Sequence, residues 1–138
     1  MRKKKALIVG GTGQIGLYLS KYLLSKNYLV CVTTRKLKKN TIKKVKFLGL
    51  YKKIKFKNLK SFTIKNIEKI FFQFIPDEIY YLAGQSYPSK SFLKKMETIK
   101  SNTIGCKNFL KIIRKNSSKC KFFNSSSSEI FGNHKKVI

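Results

Sequence analysis

The apolar run Ala6–Val9 stops abruptly at Gly10-Gly11-Thr12-Gly13-Gln14-Ile15-Gly16, and the residues beyond it change to a helical period. A short apolar run bounded by glycine reads as a strand buried on both faces. Ile15, Leu19, Tyr22 and Leu23 then recur at helical spacing with Lys21 and Lys26 opposite, so a helix is expected from Gln14, with Asn27 as its stop. A strand that turns through glycines into a helix is the opening unit of a nucleotide-binding parallel sheet. Gly10 permits the tight turn, Gly13 leaves no side chain where a pyrophosphate approaches the backbone, and Gly16 lets the helix pack on the strand. Thr12, Gln14 and Ile15 complete the candidate cofactor-binding turn. The helix start offers free N–H groups and a partial positive charge to phosphate.

The remaining pattern extends that unit. Tyr28–Thr33 is β-branched and apolar, a second strand. Arg35–Lys46 is polar and basic, a loop or short surface helix, and Lys53–Phe56 carries a weak third-strand signal. Ile64, Ile67, Ile70, Phe71 and Phe74 return to the helical period, which Pro76 ends because the residue before proline disfavours helical dihedrals. Glu78–Ala83 is a fourth strand, followed by a loop over Gly84–Ser91. Ile99, Thr103, Cys106, Phe109, Leu110 and Ile113 line one face of a long helix, and a fifth strand, Lys119–Asn124, runs into the cluster Ser125–Ser128. Strands alternating with helices imply a parallel sheet with right-handed crossovers. The fold class is therefore α/β, a doubly wound parallel sheet of Rossmann type, as one NAD(P)-binding domain over residues 1–138.

Composition adds one unusual fact: 32 basic residues stand against 5 acidic, a formal charge of +27. Lysine is spread over almost every segment, which favours a biased composition over a selected nucleic-acid surface, though non-specific and salt-sensitive binding to polyanions is expected. Cys31, Cys106 and Cys120 are far apart, without the paired spacing of a metal or redox site, and read as small apolar residues of a reducing compartment. His134 has no partner cluster. The basic start before Ala6 is followed by too short an apolar run for a signal peptide, and no stretch approaches a membrane span. A soluble cytoplasmic protein is expected.

After the second strand comes Thr33-Thr34-Arg35-Lys36. An acidic residue there would bind the ribose hydroxyls of NAD, whereas the Arg35 guanidinium suits a 2′-phosphate. NADP is expected over NAD. The spacing of Gly10, Gly13 and Gly16 resembles the short-chain dehydrogenase/reductase superfamily. More specifically, Pro76-Asp77-Glu78-Ile79-Tyr80-Tyr81-Leu82-Ala83-Gly84-Gln85-Ser86 and Asn124-Ser125-Ser126-Ser127-Ser128-Glu129-Ile130-Phe131-Gly132 are similar to two segments of the GDP-mannose 4,6-dehydratases. Gly10–Leu24 resembles that family's opening, and the likeness runs in register over nearly the whole chain.

The resemblance implies an activity. In that family NADP⁺ accepts hydride from C4 of the mannose, the resulting 4-ketone acidifies the C5 proton, water leaves from C6, and the hydride returns there. By position, Ser127 corresponds to the hydroxyl that bonds the sugar O4 region, and Glu129 to the base at C5 and the acid for the departing water. Asn58 and Leu59 stand where the family contacts adenine, Leu82, Ala83 and Gln85 border the cofactor, and Ser86 and Ser128 face the sugar. Asn102 matches a superfamily position that is usually Asn or Asp. The Tyr-x-x-x-Lys pair of these families would fall past position 138, so the chain is expected to be truncated after the fifth strand and the Ser/Glu loop. It would lack the substrate domain, turn nothing over alone, and be poorly soluble or oligomeric by itself, whereas the full-length family forms homo-oligomers. Another NAD(P)-dependent sugar-nucleotide epimerase, dehydratase or reductase is the nearest alternative. A non-catalytic nucleotide-binding or basic nucleic-acid-binding module is the one from a different class.

Overall fold

In the computed structural model, which describes residues 2–84, 93–116 and 119–126, the first strand and the glycine turn set the plan. β1 (Lys5–Val9) is the central strand and leads through the turn into α1 (Gln14–Ser25). The chain continues through β2 (Leu29–Thr34), α2 (Lys39–Phe47), β3 (Lys55–Asn58), α3 (Ile64–Phe74) and β4 (Glu78–Tyr81). A helical run then begins as α4 (Lys95–Thr98), passes through a π-helical segment over Ile99–Gly105 and continues as α5 (Cys106–Asn116), before β5 (Lys121–Asn124). The sheet has five parallel strands in the order β3-β2-β1-β4-β5, the doubly wound arrangement expected from the sequence.

Alternation along β1 divides the interior in two. Leu7 and Val9 point to the face covered by α3 and α5, where Ile67, Phe71, Tyr81 and Phe109 complete a core. Ala6 and Ile8 point to the face under α1 and α2, with Leu17, Leu23 and Val45. A strand buried on both sides needs this continuous apolar sequence. At the opposite end of the sheet from the glycine turn, Asp77 ties down the chain start: it accepts from Arg2 at 2.5 Å and from the Lys5 N–H at 2.8 Å. Beside it the buried carboxylate of Glu78 accepts from the hydroxyls of Tyr28 at 3.0 Å and Tyr80 at 2.8 Å, so its burial is compensated by hydrogen bonds.

Two helix faces depart from the sequence reading. In α1 the buried residues are Gly16, Leu17, Ser20 and Leu23, whereas Ile15 is 74% exposed and Tyr22 57%. The small residues decide the contact face because they permit the closest approach, so Ile15 and Tyr22 are turned outward while Leu19 and Leu23 pack inward. In the last helix Phe109, Ile112 and Ile113 face the core, while Leu110, Ile99 and Thr103 do not. The π-helical segment changes the angular step, so a single 3.6-residue stripe does not carry across it. Asn27 does end α1, with a left-handed φ of 62°. The polar stretch after β2 resolves into α2, and β4 ends at Tyr81, before Ala83.

All three cysteines are free thiols, with Cys31 and Cys120 buried and Cys106 half-buried. Burial pushes the thiols of Cys31 and Cys120 up to about 11. A folded-state value raised above the unfolded one favours folding while the thiol is neutral. That contribution is complete below about pH 9 and is lost as pH rises toward about 11. Cys106 is therefore expected to react first with a thiol reagent at neutral pH. Cys31 and Cys120 should label only on unfolding, and the unfolding midpoint should fall between those two pH values. Fast labelling of Cys31 in the native protein would contradict the packing.

Candidate cofactor crevice

The turn after β1 is built by steric exclusion. Gly10 has φ 73°, and a Cβ on it would lie 2.8 Å from the Ala83 Cα, so the turn after β1 and the segment after β4 press together. Gly11 has no room either: its Cβ would meet Ile8 Cγ2 at 2.6 Å. A Cβ on Gly16 would run into the backbone of Gly11. Gly13 is the exception, since a Cβ there would meet nothing within 4 Å. Three of these glycines thus close the turn on itself, and the fourth faces open space at the start of α1.

Gly13 is the N-cap of α1, with extended dihedrals, no side-chain capping bond and no acidic residue in the first turn. The first intrahelical bond, Leu17 N–H to Gly13 C=O at 3.1 Å, leaves the earlier N–H groups aimed out of the helix end. The buried Thr33 hydroxyl accepts from the Gly10 N–H at 3.2 Å and fixes the turn against β2. The sequence carried no signal for that bond, because it depends on the end of β2 lying beside the turn after β1.

The crevice lies where the strand order reverses, beyond the carboxyl ends of β1 and β4. On the β2 side stand Arg35, exposed, and Asn58, which pairs in register with Thr34 at the end of β3. Leu59 is buried in the core beneath α3, so only its backbone borders this side; its N–H donates to the Thr34 carbonyl at 2.9 Å. On the β4 side stand the half-buried Leu82 and Ala83. Ser125 N–H and hydroxyl both donate to the Tyr81 carbonyl, at 3.1 and 3.2 Å, which anchors the beginning of the serine cluster at the carboxyl end of β4. Thr12, Gln14 and Ile15 are at the turn, with Gln14 and Ile15 exposed. The structure therefore brings together the turn, Arg35, Asn58, Leu82 and Ala83. Gln85, Ser86, Ser127, Ser128, Glu129 and His134 lie outside the described residues.

Behind this site the Tyr81 hydroxyl donates to the Ser101 carbonyl of the π-helical segment, and Gly105 leaves room for that hydroxyl and for the Phe62 ring, where any Cβ would collide. Burial holds the Tyr81 hydroxyl well above the usual phenol range, so it is a neutral donor. Asn102, in the same segment, has its amide oxygen near Gly84: a Cβ on that glycine would lie 3.2 Å away. Among the described residues no cluster of His, Cys, Asp or Glu is placed to hold a metal, and no helix is long and apolar enough to cross a membrane.

The GDP-mannose 4,6 dehydratase family profile matches residues 7–138. The chain belongs to that family. Among curated relatives, the GDP-mannose 4,6-dehydratase of Vibrio cholerae is 34% identical over 143 residues, covering 96% of this chain and 37% of its own. The Dictyostelium discoideum enzyme of the same name is 34% identical, with 98% and 40% covered. This family member therefore spans about two-fifths of the length of those relatives. Among solved structures, the UDP-glucose 4-epimerase of Thermotoga maritima is similar, with a TM-score of 0.80 and 26% identity over 97% of this chain and 41% of that one. The Bifidobacterium longum UDP-glucose 4-epimerase, solved with NAD⁺ and UDP, shares the fold with a TM-score of 0.82 at 23% identity, covering 97% and 40%.

Proposed function

We propose that this family member is the NADP-binding part of a GDP-mannose 4,6-dehydratase, which converts GDP-mannose to GDP-4-keto-6-deoxymannose. The observation that carries the reading is the open space at Gly13, directly before an uncapped helix start, with Arg35 at the end of the neighbouring strand. An anion fits there because backbone N–H groups and the helix dipole face it and the first turn of α1 holds no carboxylate. The α1 start and Gly13 would hold the pyrophosphate, Arg35 the 2′-phosphate, Asn58 the adenine, and Leu82 and Ala83 the walls of the pocket. When bound, NADP⁺ supplies a reversible hydride acceptor.

The chain's own groups would do the rest. Ser127 would hold the sugar O4 hydroxyl by a hydrogen bond. Glu129 would remove the C5 proton and return it to the leaving C6 oxygen, and Gln85, Ser86 and Ser128 would line the cofactor and sugar sides. The unit acts as one domain over residues 1–138, with the sugar nucleotide gripped jointly by the remainder of the longer enzyme. The same reading carries a cytoplasmic homo-oligomer and, from the charge of +27, salt-sensitive adhesion to polyanions.

Calorimetric titration tests it. NADP⁺ should bind more tightly than NAD⁺, and Arg35→Ala should cost NADP⁺ roughly tenfold or more while sparing NAD⁺, as expected for a charge-assisted contact of about 1.5–3 kcal/mol. Tighter binding of NAD⁺ than NADP⁺ would overturn the cofactor assignment. Fusion to the remaining part of the Vibrio cholerae relative should restore conversion of GDP-mannose, and Glu129→Gln in that fusion should abolish it. A fusion that turns over a different sugar nucleotide instead would overturn the substrate assignment.

A further inference from the structure

Acidic residues are rare in this chain, five against 32 basic, so the few that contact other elements stand out. Asp77 and Glu78 secure the far end of the sheet. Glu97 is elsewhere: on α4 its carboxylate lies 3.9 Å from the Arg35 guanidinium and 3.8 Å from Lys94. The first of these contacts joins the segment after β2 to the helix that follows β4, so it spans the two sides of the crevice. Glu97 thus touches two cations, its neighbour Lys94 on the same stretch of chain and, across the crevice, the arginine proposed to receive a phosphate.

We propose that Glu97 is a specificity-determining residue: it competes with the 2′-phosphate of NADP for Arg35 and gives the guanidinium up when the cofactor binds. This rests on the cofactor reading above. The contact is suited to exchange. At 3.9 Å it is a charge contact, longer than a hydrogen bond, so the planar donor face of the guanidinium is not committed. Both partners are well exposed, at 77% and 56%, so water screens the pair and its strength is small. A phosphate dianion offers more charge and paired oxygen acceptors, and it outcompetes a single distant carboxylate. Lys94 remains beside Glu97 after the exchange, so the released carboxylate is not left without a counter-ion. The effect falls on NADP alone, because the ribose hydroxyls of NAD have no charge with which to draw Arg35 away.

The test is a cycle of four proteins, the natural chain, Glu97→Gln, Arg35→Ala and the double variant, each titrated with NADP⁺ and NAD⁺ at low and physiological salt. Glu97→Gln should tighten NADP⁺ by about two- to fivefold, the range expected for releasing an exposed ion pair, and leave NAD⁺ unchanged. The gain should shrink at higher salt and vanish in the Arg35→Ala background. A gain shared equally by both cofactors, one that persists without Arg35, or no gain at all would overturn the role of Glu97. If Arg35→Ala itself leaves NADP⁺ binding unchanged, the underlying 2′-phosphate assignment fails, and the role of Glu97 with it.

Discussion

Gly13→Asp is expected to weaken NADP⁺ binding by at least about a hundredfold while leaving the unfolding midpoint unchanged or slightly raised. The two effects separate because of where this glycine sits. A Cβ there meets nothing within 4 Å, and the backbone is extended, a conformation any residue adopts. Aspartate at an N-cap accepts from the first-turn N–H groups and is favoured slightly over glycine, so the fold gains if anything. The same carboxylate would stand where the pyrophosphate is proposed to lie and take its donors. Like charges brought together in a binding site cost several kcal/mol, and about 2.8 kcal/mol is a hundredfold in affinity. Calorimetric titration beside urea unfolding measures both quantities. Undiminished NADP⁺ binding by a folded Gly13→Asp protein would remove the crevice from consideration and restore the case for a basic module that merely kept the fold.

Gly16→Ala carries the opposite expectation: a loss of about 3 kcal/mol of stability, at the upper end for overpacked sites. Helix propensity alone argues the reverse, since alanine is favoured over glycine by about 1 kcal/mol in a helix interior. The packing decides the sign. The added methyl would overlap the backbone of Gly11, which is itself fixed against Ile8 and Val32 and cannot move aside as a side chain would. α1 would have to lift from the sheet and give up part of the burial of Leu17 and Leu23. For a domain whose total stability is of order 5–15 kcal/mol, that is a large fraction. A urea midpoint at or above that of the natural protein would show that α1 is not held in close contact at Gly16.

Much of the architecture could be read from the residues because strands and turns depend on local rules. Ala6–Val9 could only be buried on both faces, and the glycines that follow could only be a turn. Pro76 ended a helix and Asn27 another, each by its own backbone preference. What stayed hidden depended on partners remote in sequence. The buried face of α1 follows from Gly16 and Ser20 approaching the sheet closely, which a hydrophobic count gives to Ile15 and Tyr22 instead. Thr33 reads as a strand residue until β2 is placed beside the Gly10 turn. Glu97 carries no signal in the sequence because its place depends on α4 being brought beside Arg35 by the fold. Leu59 stands by likeness at the adenine contact; its side chain belongs to the core and its backbone borders the crevice.

The π-helical segment over Ile99–Gly105 works as a phase shifter. An unbroken α-helix presents one fixed azimuth along its length, so a rod passing both a crevice and a hydrophobic sheet would serve one of them poorly. Widening this seven-residue stretch lets the portion near Asn102 be aimed toward Gly84 independently of the portion that seats Phe109, Ile112 and Ile113. Selection can then alter the rim residues without disturbing the register of the core.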